Sequence, residues 1–186
     1  MKLFIKNMVS IRCKMLVSSE LENLGLYNAL VKLGEVEIGE ELSAEKYDRL
    51  KAALYKWGLE LMDNKKTILA EKIKTAIIEM IHCANELPKV KYSEYLSEKL
   101  DHNYAYISNF FAKVKGTTLQ HFILSHKIER VKELMVYEEL SLSEIAWKLN
   151  YSSVAHLSNQ FKKITGLTPS HFKNMKHKSL IALESL

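Results

Sequence analysis

Residues 93–122, SEYLSEKLDHNYAYISNFFAKVKGTTLQHF, and residues 143–172, SEIAWKLNYSSVAHLSNQFKKITGLTPSHF, align without a gap when the chain is shifted by fifty positions. The thirty pairs hold eleven identities: Ser93/Ser143, Glu94/Glu144, Ala105/Ala155, Ser108/Ser158, Asn109/Asn159, Phe111/Phe161, Lys113/Lys163, Gly116/Gly166, Thr118/Thr168, His121/His171 and Phe122/Phe172. Chance supplies about two, so the second half of the chain is an internal duplication.

Each copy follows the same local logic. Ser93 or Ser143 opens a short helix; a polar turn follows, Asp101-His102-Asn103 or Asn150-Tyr151-Ser152-Ser153; a second helix then ends at Gly116 or Gly166. That is helix-turn-helix spacing. Ile107, Phe111 and Val114, like Leu157, Phe161 and Ile164, fall at i, i+4, i+7 and form the core stripe of the second helix. With about 3.6 residues per turn, the opposite face carries Ala105, Asn109 and Ala112 in one copy and Ala155, Asn159 and Lys162 in the other. Tyr106, Ser108 and Lys113 flank the first face, as His156, Ser158 and Lys163 flank the second. Small residues that admit a close backbone, an amide and a lysine suit a helix entering a major groove. Asn109 and Asn159 can each offer a donor and an acceptor to adenine, and Ala105, Ala155 and Val154 can meet a thymine methyl group. Lys113, Lys162 and Lys163 are phosphate neutralisers rather than base readers. Any one of these residues would be unremarkable on a solvated helix face; the signal is that the pattern occurs twice.

Between the copies, Thr118 to Tyr137 keeps an unbroken helical pattern with Phe122, Ile128, Val131 and Leu134 apolar, a rod of ~30 Å. Recognition helices reading successive major grooves are separated by roughly 34 Å, so such a rod lets one chain do what dimers do elsewhere. Lys127, Arg130 and Lys132 on the rod are expected at the DNA backbone or in water. Upstream, Ile68, Ile73, Ile77, Met80 and Ile81 mark one long connecting helix from Asn64 to Asn85, broken by Pro88.

The first 62 residues read differently. Alternation in Leu3–Lys6, Leu30–Leu33 and Val36–Ile38 predicts strands, the last two joined by a Gly34 turn. Met15, Val17, Leu21 and Leu24 predict a helix over Lys14–Leu24, stopped by Gly25. Ser43 caps a second helix with Tyr47, Leu50, Leu54 and Trp57 as its apolar stripe and Gly58 as its stop. Leu59–Met62 closes the set as a strand. The order is that of a ferredoxin-like unit. The chain is therefore expected to be mainly α with a small α+β N-terminal domain: residues 1–62 ferredoxin-like, 63–88 a connecting helix that begins the DNA-binding domain, 89–175 a tandem helix-turn-helix domain, about seven helices with the connector, and 176–186 a tail.

Charge follows the same division. The net +5 of the 186 residues is absent from residues 1–88, which hold 13 Lys and Arg against 13 Asp and Glu. Residues 89–178 hold 14 against 8, and Glu184 completes the total. A local positive excess is the usual footprint of a phosphate-binding surface. Two cysteines form no disulfide framework and suit a reducing cytoplasm. Lys2 and Lys6 interrupt the N-terminal apolar run, so no signal peptide is expected, and no stretch approaches the ~18 apolar residues that span a membrane.

Two resemblances add to this reading. Ser143-Glu144-Ile145-Ala146-Trp147-Lys148-Leu149-Asn150-Tyr151 and Leu157 to Phe172, above all Phe161-Lys162-Lys163-Ile164-Thr165-Gly166-Leu167-Thr168-Pro169, resemble the DNA-binding domain of the AraC/XylS family of bacterial transcription regulators. The resemblance covers about residues 66–175. It implies two helix-turn-helix units joined by a long helix, binding double-stranded promoter DNA, with base reading at Ala105, Ser108, Asn109, Val154, Ala155 and Asn159. Members of that family often carry Arg where Asn109 and Asn159 stand, so adenine is favoured here over guanine. Their Gly-Phe in the second turn is Asn150-Tyr151, which Asn tolerates because it reaches positive φ. Their upstream cupin-like sugar-binding domain has no counterpart in the first 62 residues. The second resemblance lies at Met8-Val9-Ser10-Ile11-Arg12-Cys13, similar to the Met-x-Cys-x-x-Cys loop of heavy-metal-associated domains, with Ser10 at the first cysteine position. A soft metal wants two thiolates, and only Cys13 supplies one.

The expected function is thus a sequence-specific, cytoplasmic DNA-binding regulator without a cofactor. Its partners are promoter DNA, RNA polymerase if it activates, no membrane, and a second copy if the N-terminal sheet pairs edge to edge. The alternative is a metal-handling protein whose N-terminal domain binds through Cys13. No enzyme is expected, since the seven histidines form no constellation with a nucleophile or carboxylate and no Gly-rich phosphate loop occurs.

Overall fold

Strand β1 (Lys2–Lys6) buries Leu3 and Ile5 on one face, the alternation that its sequence dictates. It is followed by α1 (Ile11–Asn23), β2 (Ala29–Lys32), β3 (Glu35–Ile38), α2 (Ala44–Tyr55) and β4 (Glu60–Met62). These elements come from a computed structural model that describes residues 1–83, 91–138 and 140–174. The chain divides into two compact units, Met1–Thr75 and Ala76–Leu186, and the division falls inside a helix, α3 (Lys65–Ile78).

The sheet of the first unit runs β2-β3-β1-β4, every neighbour antiparallel, as the ferredoxin-like order requires. Its core joins Ile5 and Val36 of the sheet to Val17 and Leu21 of α1 and Leu50 and Leu54 of α2. At about 1.5–3 kcal/mol for each large apolar side chain, these six are the main favourable term of the unit. Gly34 sits at φ +75°, and a Cβ there would stand 2.9 Å from Thr75 Oγ1, so both conformation and space call for glycine.

Three expectations in this half need correction. The first helix begins at Ile11 rather than Lys14, because Ser10 caps it by accepting from the Cys13 amide at 3.4 Å. Met15 is 68% exposed; it lies two positions from Val17, on the opposite side of the helix from the buried Val17–Leu21 pair. Trp57 is 60% exposed because α2 ends at Tyr55, leaving the indole beyond the stripe, where its Nε1 donates to Glu20 at 3.3 Å. The long connecting helix is also not uniform. After Ile78 it continues as a π-helical turn, Glu79–Cys83. Its expected end at Asn85 and Pro88, and the tail 176–186, lie outside the described residues.

The second unit repeats itself as the alignment requires. Helices α4 (Tyr92–Leu100) and α5 (Tyr104–Lys115) form the first helix-turn-helix, and α7 (Leu142–Lys148) and α8 (Val154–Thr165) the second. The rod α6 (Leu119–Val136) lies between them in sequence, and α9 (Pro169–Asn174) follows the second copy. Both α5 and α8 pack on α6. Its 18 residues span about 27 Å.

The short helices open elsewhere than at Ser93 and Ser143. Lys91 precedes α4 without a side-chain cap, and Ser141 caps α7 in a capping box closed by Glu144. Val114, expected in the core stripe, is 43% exposed in the last turn of α5, beyond the reach of the Phe111–Phe122 contact.

Candidate nucleic-acid interface

Local structure explains five of the eleven repeated identities without any partner. Gly116 (φ +69°) and Gly166 (φ +77°) are left-handed C-caps that stop α5 and α8. Thr118 and Thr168 accept from the amides of His121 and His171 and so start the next helices. Phe111 packs on Phe122 at 5.1 Å and Phe161 on Phe172 at 5.5 Å, which clamps each second helix to its successor. The histidine pair contributes its backbone to those caps.

The identities on α5 and α8 away from these contacts have no such explanation. Ala105, Asn109 and Lys113 are exposed on α5, and Ala155, Asn159 and Lys163 are exposed on α8, while Ile107, Phe111, Leu157 and Phe161 on the other side are buried. At i, i+4, i+8 the three residues share one face of each helix. Lys162 joins the second face, and half-buried Ala112 holds the same position on the first. Ser108, Ser158 and Val154 are half-buried at the margins. The duplicated face is thus small at its N-terminal end, amide-bearing in the middle and cationic in its last turn, where the helix C-terminus also favours positive charge.

The two flanking aromatic positions differ. Tyr106 is 47% exposed and stacks on half-buried Phe110 at 5.9 Å, giving the first copy an aromatic pair at i, i+4. Phe110 was missed from the sequence, although that spacing marks it. His156 is held within the protein instead. Its Nδ1 lies 2.9 Å from Ser152 Oγ and its Nε2 3.0 Å from the Gln160 amide nitrogen, which can only donate.

The rod cations, expected at the DNA backbone or in water, are instead buried or ion-paired within the protein. Lys132 is buried and pairs with buried Glu129 at 2.5 Å, and Arg130 bridges Glu133 at 2.9 Å and Glu138 at 3.2 Å. Lys127 is buried with its ammonium 3.9 Å from the centre of the Tyr151 ring. The turns behave as their residues allow: Asn150 adopts φ +51°, while Tyr151, read as part of a polar turn, is buried.

In the first unit, Ser10 Oγ is 3.2 Å from Cys13 Sγ, so the serine of the loop is a helix cap facing a half-buried thiol. Among the described residues no group of three or more His, Cys, Asp and Glu is arranged to hold a metal ion, and the metal-handling reading has no support. No helix among them is long and apolar enough to cross a membrane.

Comparison with known proteins bears on the second unit. Residues 96–175 match the family model described as a helix-turn-helix domain. An uncharacterized HTH-type transcriptional regulator of Bacillus subtilis, YtdP, is 26% identical over 106 residues, 57% of this chain and 14% of its own length. Another of Staphylococcus aureus is 30% identical over 93 residues, 50% of this chain and 12% of its own. YdiP of Escherichia coli is 28% identical over 80 residues, 43% and 26% respectively. The chain thus spans at most about a quarter of these relatives. Among solved structures, the C-terminal domain of AraT, a response regulator from Geobacillus stearothermophilus, superposes with a TM-score of 0.51 at 22% identity, covering 62% of this chain and 92% of that one. That likeness is one of fold.

Proposed function

We propose, from the match of residues 96–175 to a helix-turn-helix domain, that the chain is an AraC-type, sequence-specific double-stranded DNA-binding transcription regulator whose α5 and α8 read successive major grooves. The observation that carries this reading is the exposed, duplicated face: Ala105, Asn109 and Lys113 against Ala155, Asn159 and Lys163. Packing has no use for these identities, whereas a repeated helical groove does.

The roles follow from the chemistry of each side chain. Asn109 and Asn159 read adenine by paired hydrogen bonds to N6 and N7. Ala105, Ala155 and Val154 meet thymine methyl groups, and Ser108 and Tyr106 contact base edges at the margin of the first helix. His156 contributes only after giving up its bonds to Ser152 and Gln160. Lys113, Lys162 and Lys163 neutralise phosphates and set register. The protein acts on promoters in the bacterial cytoplasm, meeting RNA polymerase where it activates. A second copy would pair with an edge strand of the N-terminal sheet, β2 or β4, since these end the strand order.

Binding selection on randomised duplexes tests the proposal. Enrichment of two boxes about one helical turn apart, with adenine at the centre of each, is the expected outcome. Recovery of no common sequence means that the two faces do not read bases.

A further inference from the structure

Between the two helix-turn-helix units lies a cleft of about 740 Å³. Tyr92 and Tyr104 line it from the first unit, Tyr151 and His156 from the second, and Ile123 and Lys127 from α6. Its size falls within the range of small-molecule sites, roughly 300–1,000 Å³.

Two polar groups in its wall are buried without the partner their chemistry asks for. The Tyr151 hydroxyl is fully buried and makes no hydrogen bond among the described residues. Lys127, 7% exposed, reaches no carboxylate there; its ammonium meets only aromatic faces, Tyr151 at 3.9 Å and Tyr92 at 5.5 Å. The other two buried lysines among the described residues are paired, Lys74 with Glu71 at 3.4 Å and Lys132 with Glu129 at 2.5 Å. A buried charge normally has such a partner, and a buried hydroxyl normally has an acceptor or donor. No acidic residue among the described ones lines the cleft, and Lys91 adds a second cation at its rim. Burial pulls the Lys127 ammonium down to about 8, the direction that a bound anion reverses.

We propose that this cleft binds a small organic carboxylate, its charged end on the Lys127 ammonium and the Tyr151 hydroxyl and its apolar body against Tyr92, Tyr104, Ile123 and Leu124. The cation–π contacts hold the ammonium in place and leave its N–H groups for the carboxylate oxygens. Because Tyr104 opens α5 and His156 stands on α8, a ligand touching both walls bears on the angle between the two helices. Only a ligand that prefers one such angle shifts the protein toward it. The site rests on the cleft and not on DNA reading, so it stands or falls separately from the proposed function.

The test is thermal unfolding and calorimetric titration of the full chain with benzoate, 1-naphthoate and octanoate, and with uncharged benzamide as control. At least one carboxylate is expected to bind and raise the melting temperature at millimolar concentration, and benzamide is not. Lys127→Met should weaken that binding roughly tenfold or more, and Tyr151→Phe, which keeps the ring, should weaken it less. Binding of none of the three, equal binding of benzamide, or unchanged affinity in both variants overturns the proposal. A second arm measures duplex DNA affinity without carboxylate. Lys127→Met should match the wild type; a loss accompanied by a salt slope shallower by about one identifies the anion as a DNA phosphate and overturns the small-molecule reading. The titration remains decisive even if no duplex is bound.

Discussion

Asn159 and Lys163 stand four positions apart on the same exposed face of α8, yet their chemistry separates their expected effects. Asn159→Ala should cost ~1–3 kcal/mol on a selected site and far less on random DNA, measured by fluorescence anisotropy on both duplexes. Lys163→Ala should weaken both alike, because a phosphate contact carries no sequence information. Equal losses for Asn159, or a site-specific loss for Lys163, would reverse the assignment. Lys127 makes a different kind of prediction. Its folded pKa of about 8 lies below the ordinary 10.5, so between these values the unfolded chain binds more protons than the folded one. Stability should therefore rise with pH across that window, by up to roughly 3 kcal/mol, and Lys127→Met should remove the slope in pH-dependent denaturant unfolding. Asn159 was legible in the sequence because it recurs at a helical spacing. The burial of Lys127 was not, since a lysine on a helix reads as solvated until the element that covers it is known.

At the scale of elements, the duplication separates two kinds of constraint. Glycine C-caps, threonine N-caps and Phe–Phe clamps recur because each copy must stop one helix and seat the next. The first helices of the copies differ in how they begin. In α7 the Ser141 hydroxyl accepts from the Glu144 amide at 3.3 Å, and the Glu144 carboxylate accepts from the Ser141 hydroxyl at 2.7 Å and the Ser141 amide at 2.8 Å, which together hold that carboxyl below the usual range. In α4 Lys91 gives no such cap. Ser141→Ala should thus destabilise the second unit by about 1 kcal/mol in thermal unfolding, while Lys91→Ala should be nearly neutral. The capping box was hidden from the alignment, because the serine that the copies share is Ser143 and not Ser141. The first helix, expected over Lys14–Leu24, starts three residues earlier for a related reason: Ser10, read as a lost metal ligand, is the cap that starts α1.

If α5 and α8 read DNA as proposed, one chain carries both helices packed on the same rod, so binding should depend on the phase of its two boxes. Inserting about five base pairs between the selected boxes turns the second groove to the far side of the duplex. Joint binding should then collapse to the affinity of a single box in a gel-shift titration; undiminished binding would mean that α5 and α8 do not engage together. Affinity should also fall steeply with salt, as release of several counterions requires. The sequence by itself determined the duplicated architecture, the antiparallel ferredoxin-like unit and the paired small, amide and lysine faces of α5 and α8. These follow from local periodicity, capping chemistry and self-similarity, all written along the chain. Only the tertiary structure decided that the rod lysines are buried or paired, that Tyr151 leaves its turn for the interior, and that the two helix-turn-helix motifs flank a cleft holding Lys127. Burial and pairing depend on residues far apart in sequence, and no periodicity records which distant side chain covers a given one.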